Sequence, residues 1–490
     1  MRVTVIATVR VALVASTVGA LGCLDPSGYV HPPLPSAEPF SPRIQSENAR
    51  AGTLGWDSGL GAPVDSFVAG FVYPFSVRAG ETIRFYVRSQ DPTVTVRVLR
   101  LGWYGGLGAR QVDSVRFTTG ASQPPCSPPL PGPVVCDWNA SAELVTGREW
   151  PPGVYLATFT DSSGRRGGYP FVLRSGQADG YLLVLPFSTY EAYNDWGGVS
   201  LYKGPGGERG HAVSFARPLA HWDLWRSFLA LDYLLIRWLE QQGYNAAYVT
   251  DVDFFVGRDV GYGAIAWLFA GHSEYWTWLG RLQLDAGRDY GVNLAFLGGN
   301  DVYWNSRYEE AVVGSARIPT LVCYKNRLQD PQGFVRGFST VKFRDYPNNW
   351  PENEIIGVMS SAGLNVPGWP VDLVVADASD SLFHGTGLTS GRRIPRLVGW
   401  EGDRMVANGF TPPGIRLLFE SPYTSGQTGA PDVIHGIYYV WRASGARVFA
   451  SGDVGFQWGL ATYAGRVAVP ELSVFLSNVL ADFAAERKLR

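Results

Sequence analysis

Ile265-Ala266-Trp267-Leu268-Phe269-Ala270 is an unbroken apolar run that stops abruptly at Gly271-His272-Ser273-Glu274-Tyr275-Trp276. Such a run reads as a strand covered on both faces, the situation inside a parallel sheet. It has companions. Tyr181-Leu182-Leu183-Val184-Leu185 comes before it, residues 246–249 form a second run, and residues 293–297 a fourth. Helical patterns lie between them. Within residues 228–242, Leu231, Leu235 and Trp238/Leu239 recur at helical spacing, and Gly243 follows where a helix terminus favours glycine. A further helix is expected to about residue 290. Leu472, Leu476, Val479 and Phe483 mark an amphipathic closing helix over residues 471–486. Strands alternating with helices predict an α/β domain with a mainly parallel sheet, of amidotransferase-like type, over residues 177–490.

Upstream the pattern changes period. Ile83, Phe85 and Val87 alternate with Thr82, Arg84 and Tyr86, and Val94, Val96 and Val98 alternate with Thr95 and Arg97. Residues 154–159 and 169–173 repeat the pattern. Such alternation predicts half-buried antiparallel strands, and residues 56–176 read as an immunoglobulin-like β-sandwich. Residues 24–55 are rich in Pro and Ser and read as an arm or linker. Residues 1–23 are mostly apolar and end in Ala20-Leu21-Gly22-Cys23. They read as a signal peptide, with Cys23 a candidate lipid anchor. The expectation is an exported chain: periplasmic, a cell-surface lipoprotein or secreted. Cys126 and Cys136, flanking a Pro-rich loop, then suit a disulfide, and Cys323 sits in an apolar run and reads as buried.

Composition narrows the function. The chain has 490 residues, 46% apolar and 17% charged, which excludes general disorder. A net charge of −2 leaves no basic footprint, so no nucleic-acid partner is expected. Six His and four Cys exclude a zinc ribbon or a disulfide-dense scaffold.

In open parallel sheets ligands bind beyond the carboxyl ends of the strands. Here those ends read Ser188-Thr189-Tyr190-Glu191-Ala192-Tyr193-Asn194-Asp195, Thr250-Asp251-Val252-Asp253, Gly271-His272-Ser273-Glu274 and Gly298-Gly299-Asn300-Asp301. His272 and Glu274, two apart in extended chain, face one side and suit a metal or a shared proton. Asp251 and Asp253 are a second carboxylate pair, suited to a divalent cation or to capping a turn. No Gly-x-Ser-x-Gly elbow follows a strand, and no Cys stands in a nucleophile position. Chemistry at this edge therefore calls for an activated water, with a metal or a strong base.

The segment Gly271-His272-Ser273-Glu274-Tyr275-Trp276, with Tyr190-Glu191-Ala192-Tyr193-Asn194, Gly298-Gly299-Asn300 and Leu397-Val398-Gly399-Trp400-Glu401, resembles the large (beta) subunit of N,N-dimethylformamidase over about residues 179–465. The resemblance implies a mononuclear iron held by two tyrosines and a glutamate, acting on a small amide substrate. Glu274 falls on the glutamate ligand and Tyr193 on one tyrosine. The second tyrosine is expected some forty residues earlier, with Tyr155 the candidate and Tyr190 the fallback. His272 and Asn300 fall near the substrate and Glu401 on the catalytic glutamate. The resemblance also implies an oligomer or a small accessory subunit. Two other readings stand beside it. One is a non-catalytic surface protein binding carbohydrate or an envelope component, with Trp103, Tyr104 and Trp196 as stacking platforms. The other is a hydrolase using Asp251, Asp253 and Glu274 with another divalent metal.

Overall fold

A seven-stranded sheet organises the site. Its strands are β1 (Tyr181–Leu185), β2 (Ala246–Thr250), β3 (Ala266–Gly271), β4 (Asn293–Gly298), β5 (Arg416–Thr424), β6 (Pro431–Val440) and β7 (Arg447–Ala450), in the order β2-β1-β3-β4-β7-β6-β5. The first five in that order run parallel, and β6 and β5 close the edge antiparallel. The structure, a computed structural model, describes residues 37–63, 65–119, 123–127, 132–176, 178–363, 370–426 and 428–487. The expected signal segment, with Cys23, and the start of the arm lie outside the described residues.

The apolar runs are continuous because both faces of the sheet are covered. Tyr181, Leu183 and Leu185 join one buried cluster with Leu268, Ala270, Ala295 and Leu297. Leu182 and Val184 join another with Trp267, Phe269, Leu294 and Phe296. Each fully buried side chain of this size contributes ~1.5–3 kcal/mol. Helix Tyr233–Gln242 ends at Gly243 in the left-handed region. Helix Trp278–Tyr290 is capped by the Thr277 side chain. Helix Pro470–Arg487 buries Leu472, Leu476, Val479 and Phe483.

Strand–helix alternation does not continue past β4. The connection to β5 is made of strand pairs instead: Trp304–Val313 with Ala316–Val322, Met359–Gly363 with Glu401–Arg404, and Val371–Val374 with Arg393–Val398. The molecule is accordingly richer in sheet and poorer in helix than the α/β reading of residues 177–490 implies. These segments pair as short antiparallel strands and bury only part of their length, Trp304–Val313 being buried at Asn305, Ser306 and Val313.

Two further sheets precede β1. One has the strands Val68–Tyr73, Thr82–Ser89 and Ala142–Val145. The other has Ser76–Arg78, Arg166–Arg174, Gly153–Asp161, Thr93–Leu101 and Ala109–Thr118. They face each other closely: a Cβ on Gly70 would lie 3.0 Å from the Phe159 ring. Cys126 and Cys136 form a disulfide, and Cys323 is free and buried. Within the stretch read as an arm, Pro42–Asn48 is helical, capped by Ser41. Its Glu47 is buried against Tyr104 and Arg110. Arg100, from the five-stranded sheet, meets Glu240 of helix Tyr233–Gln242 at 2.9 Å with both side chains buried. Among the described residues no helix is long and apolar enough to cross a membrane.

Candidate functional site

The chain leaves β1 for β2 on one side and returns to β3 on the other, so the carboxyl ends of β1 and β3 flank a topological switch point. From β1 the chain enters helix Phe187–Tyr193, whose last residue is Tyr193. From β3 it passes directly to His272 and Glu274, and from β4 to Asn300. Glu401 arrives from far along the sequence. It opens the strand Glu401–Arg404, whose Gly402 bridges Asp453 just beyond β7. The strand ends must come very close here. A Cβ on Gly298 would lie 1.6 Å from the Gly271 carbonyl oxygen, and one on Gly271 would lie 1.9 Å from Asp232 Oδ1. Gly271 also has φ +51°, a conformation that glycine adopts without strain.

Five polar side chains converge. His272 Nε2 lies 3.1 Å from Glu401 Oε2 and 3.7 Å from Glu274 Oε2. Ligand atoms of His272, Glu274 and Glu401 all lie within 4.8 Å of one another. Asn300 donates from Nδ2 to Glu401 Oε2, and its own Oδ1 is buried without a hydrogen-bond partner. The Tyr193 hydroxyl reaches Glu401 Oε1 at 3.4 Å. Tyr202 stacks on Tyr193 with ring centroids 4.3 Å apart and donates to both oxygens of Glu274, each at 2.8 Å. Trp304 Nε1 adds a bond to Glu274 Oε1 at 2.8 Å, and Tyr275 donates to the Tyr202 hydroxyl at 2.7 Å. The Lys325 ammonium sits 3.3 Å from the Tyr202 ring centroid.

The charges are strongly coupled. Burial opposes protonation of His272, but Glu401, and then Glu274 and Asp301, carry the imidazole up to about 9. Burial raises the Glu274 carboxyl, with His272 opposing it. Glu401 is held low in spite of burial, by His272 and by bonds from Asn300 and Tyr193. Burial and the Glu274 carboxylate push the Tyr193 and Tyr202 phenols well above their ordinary range. As the chain stands, both phenols are protonated donors. A cation between them and Glu274 would invert that preference.

The structure brings together Tyr193, His272, Glu274, Asn300 and Glu401, and it places Tyr155 elsewhere. Tyr155 lies on strand Gly153–Asp161, its ring against Trp150 and Phe171 and its hydroxyl donating to the Pro151 carbonyl at 2.6 Å. Tyr190, the fallback, bonds Asp232. The second phenol at Glu274 is Tyr202. Tyr202 stands nine residues after Tyr193, and among 24 tyrosines its local sequence does not mark it out. Trp304 and Lys325 are also absent from the sequence-derived set. Asp251 accepts from the Ser188 backbone N–H, and Asp253 pairs with Thr250 and Arg258, so neither joins Glu274. Tyr104 and Trp196 are buried, which removes two of the three stacking platforms.

No curated protein matches the chain. Among solved structures, it is similar to a Paenibacillus sp. cycloisomaltooligosaccharide glucanotransferase complexed with cycloisomaltoheptaose, at 12% identity and a TM-score of 0.15, over 52% of this chain and 33% of that one. The chain thus spans about a third of that enzyme's length. A sequence model of the family described as N,N-dimethylformamidase beta subunit-like, C-terminal, matches residues 95–468, beginning inside strand Thr93–Leu101 and so well before residue 179. That match covers most of the chain and includes every residue of the convergent cluster, so the chain belongs to the N,N-dimethylformamidase beta subunit-like family.

Proposed function

We propose that the chain is an exported, metal-dependent amide hydrolase, with a mononuclear iron held by Tyr193, Tyr202 and Glu274. The observation that carries this reading is the convergence of two stacked tyrosines on the buried Glu274 and the half-buried Glu401 at the switch point of the sheet. The donor set fits the ion. Phenolate and carboxylate are hard anionic oxygen donors, suited to ferric iron, and beside them the buried Asn300 Oδ1 has no hydrogen-bond partner of its own. When bound, iron supplies Lewis acidity for an amide carbonyl and lowers the pKa of water.

The chain's own residues carry the rest. Glu401 takes the proton of the attacking water at a carboxylate oxygen and returns it to the leaving amine nitrogen. His272, held by Glu401 at 3.1 Å, keeps that carboxylate oriented and offsets its charge. The second Nδ2 hydrogen of Asn300, the first being given to Glu401, donates to the substrate oxygen as it becomes an oxyanion. The products are a carboxylic acid and an amine. We read the fold as amidotransferase-like preceded by an immunoglobulin-like sandwich. A small amide substrate, a lipid anchor at Cys23 and an accessory subunit or oligomer belong to the same proposal.

The test is metal analysis of the purified chain together with formamide turnover. Stoichiometric iron with a visible phenolate-to-iron band, lost in Tyr193→Phe, is expected. Glu401→Gln should lower turnover by ~10²–10⁴-fold, the usual worth of a general base. A chain that hydrolyses formamides equally well without iron, or with Glu401→Gln and Glu274→Ala in place, contradicts the assignment.

A further inference from the structure

Tyr202 links two environments: its ring lies between Tyr193 and the Lys325 ammonium, and only its edge reaches solvent. Its hydroxyl turns inward to Glu274, while the residue as a whole is 41% exposed. The exposed edge borders an open cleft of about 830 Å³, lined also by Glu208, Arg209, His211, Asn326 and Gln329. That volume lies within the ~300–1,000 Å³ that accommodates drug-sized ligands, far more than a simple formamide fills. The cleft also has a distinct chemistry. The Arg209 guanidinium donates to the Tyr324 carbonyl at 3.2 Å and enters no ion pair among the described residues. The Lys325 ammonium lies under the Tyr202 ring, donates to the Leu201 carbonyl and is not part of the cleft lining, which leaves Arg209 as the cation of the cleft. His211 stacks on Tyr324 with centroids 4.8 Å apart, and its Nδ1 is buried without a hydrogen-bond partner. Glu208 is the one acidic group among the lining residues.

We propose that this cleft binds the carboxylate end of the substrate, so that the preferred substrates are amides carrying a carboxylate, as in N-formyl amino acids. The inference rests on the amide-hydrolase reading of the adjoining cluster. Arg209 is the specificity residue: its planar fork takes both oxygens of a carboxylate, while the exposed edge of Tyr202 and the His211 ring border the body of the ligand. Glu208 disfavours a second negative group. The scissile amide then projects past Tyr202 toward Glu274 and Glu401.

The experiment compares N-formylglycine with N-formylglycinamide, its uncharged counterpart, on the iron-loaded chain. A kcat/KM at least tenfold higher for the carboxylate is expected. Arg209→Met should bring that ratio close to one, mainly through KM, and Arg209→Lys should retain part of it. Equal kcat/KM for the two compounds, or a ratio untouched by Arg209→Met, overturns the proposal. If neither compound is hydrolysed, the amide-hydrolase reading fails, and calorimetric titration with N-acetylglycine tests the cleft alone. Binding that is lost in Arg209→Met supports it, and no binding by the unsubstituted chain overturns it.

Discussion

The hydroxyl of Tyr202 reaches both oxygens of Glu274, whereas that of Tyr155 donates to the carbonyl of Pro151 within a buried aromatic stack. The two residues are chemically identical, and with 24 Tyr in the chain nothing in a tyrosine's immediate neighbours separates a ligand from a core residue. The difference is one of position. Tyr202 stacks on Tyr193, so two phenols share one carboxylate-lined space. Tyr202→Phe should therefore abolish iron retention and the visible band. Tyr155→Phe should keep both and cost about 1 kcal/mol of stability, the ordinary worth of one hydrogen bond. Iron content and denaturant melts of the two variants check this. Retention of iron in Tyr202→Phe would remove Tyr202 from the ligand set. His272 and Glu274, by contrast, were legible as a pair, because two residues apart in extended chain necessarily share a side.

At the scale of the element, the segment after β1 carries both tyrosines, Tyr193 at the end of its helix and Tyr202 in the loop beyond, and the buried Arg217 ties much of it together. Arg217 donates from Nη1 to the carbonyls of Trp196 (3.1 Å) and Val199 (2.7 Å), and from Nη2 to those of Glu191 (3.0 Å) and Asn194 (2.8 Å). It also pairs with Glu191 at 3.2 Å, both side chains being buried. Only the guanidinium fork spans so many carbonyls at once. Arg217→Met leaves Glu191 buried without its cation, which typically costs ~3–5 kcal/mol. The expected outcome is a matching loss in denaturant unfolding, with iron bound more weakly because Tyr193 and Tyr202 lose their common support. Full iron affinity in a destabilised but folded Arg217→Met would show that the loop holds its shape by other means. The strand pair that delivers Glu401 is a similar case. The four residues Glu401–Arg404 carry no apolar pattern that marks them, and the bridge from Gly402 to Asp453 beyond β7 sets the strand beside the cluster.

Across the whole molecule several acidic side chains are buried, Asp251, Asp301 and Asp453 among them. Burial lifts the carboxyls of Asp251 and Asp453 each to about 7, against roughly 4 in an unfolded chain. Because the folded value is the higher one, the folded protein keeps protons that the unfolded chain releases. The stability tied to these two groups is complete below about pH 4 and is lost as pH rises through about 7. Glu47, held low despite burial by Tyr104 and Arg110, acts in the opposite sense and only at more acid pH. The melting temperature of the metal-free chain should thus fall between about pH 4 and about pH 8, and Asp251→Asn should flatten the slope. An identical slope in the variant would place the titration elsewhere. At this scale the residue order alone determined the strand runs, the helices with their glycine stops, the two alternating sheets and the edge at which His272, Glu274 and Asn300 gather. Those features are written in periodicities that operate over a few residues. Tertiary structure alone decided which tyrosines meet Glu274, that Glu401 reaches the cluster at all, and that Arg209 opens onto a cleft behind Tyr202. Each depends on how long connections close in space, and local side-chain pattern does not encode where a distant loop comes to rest.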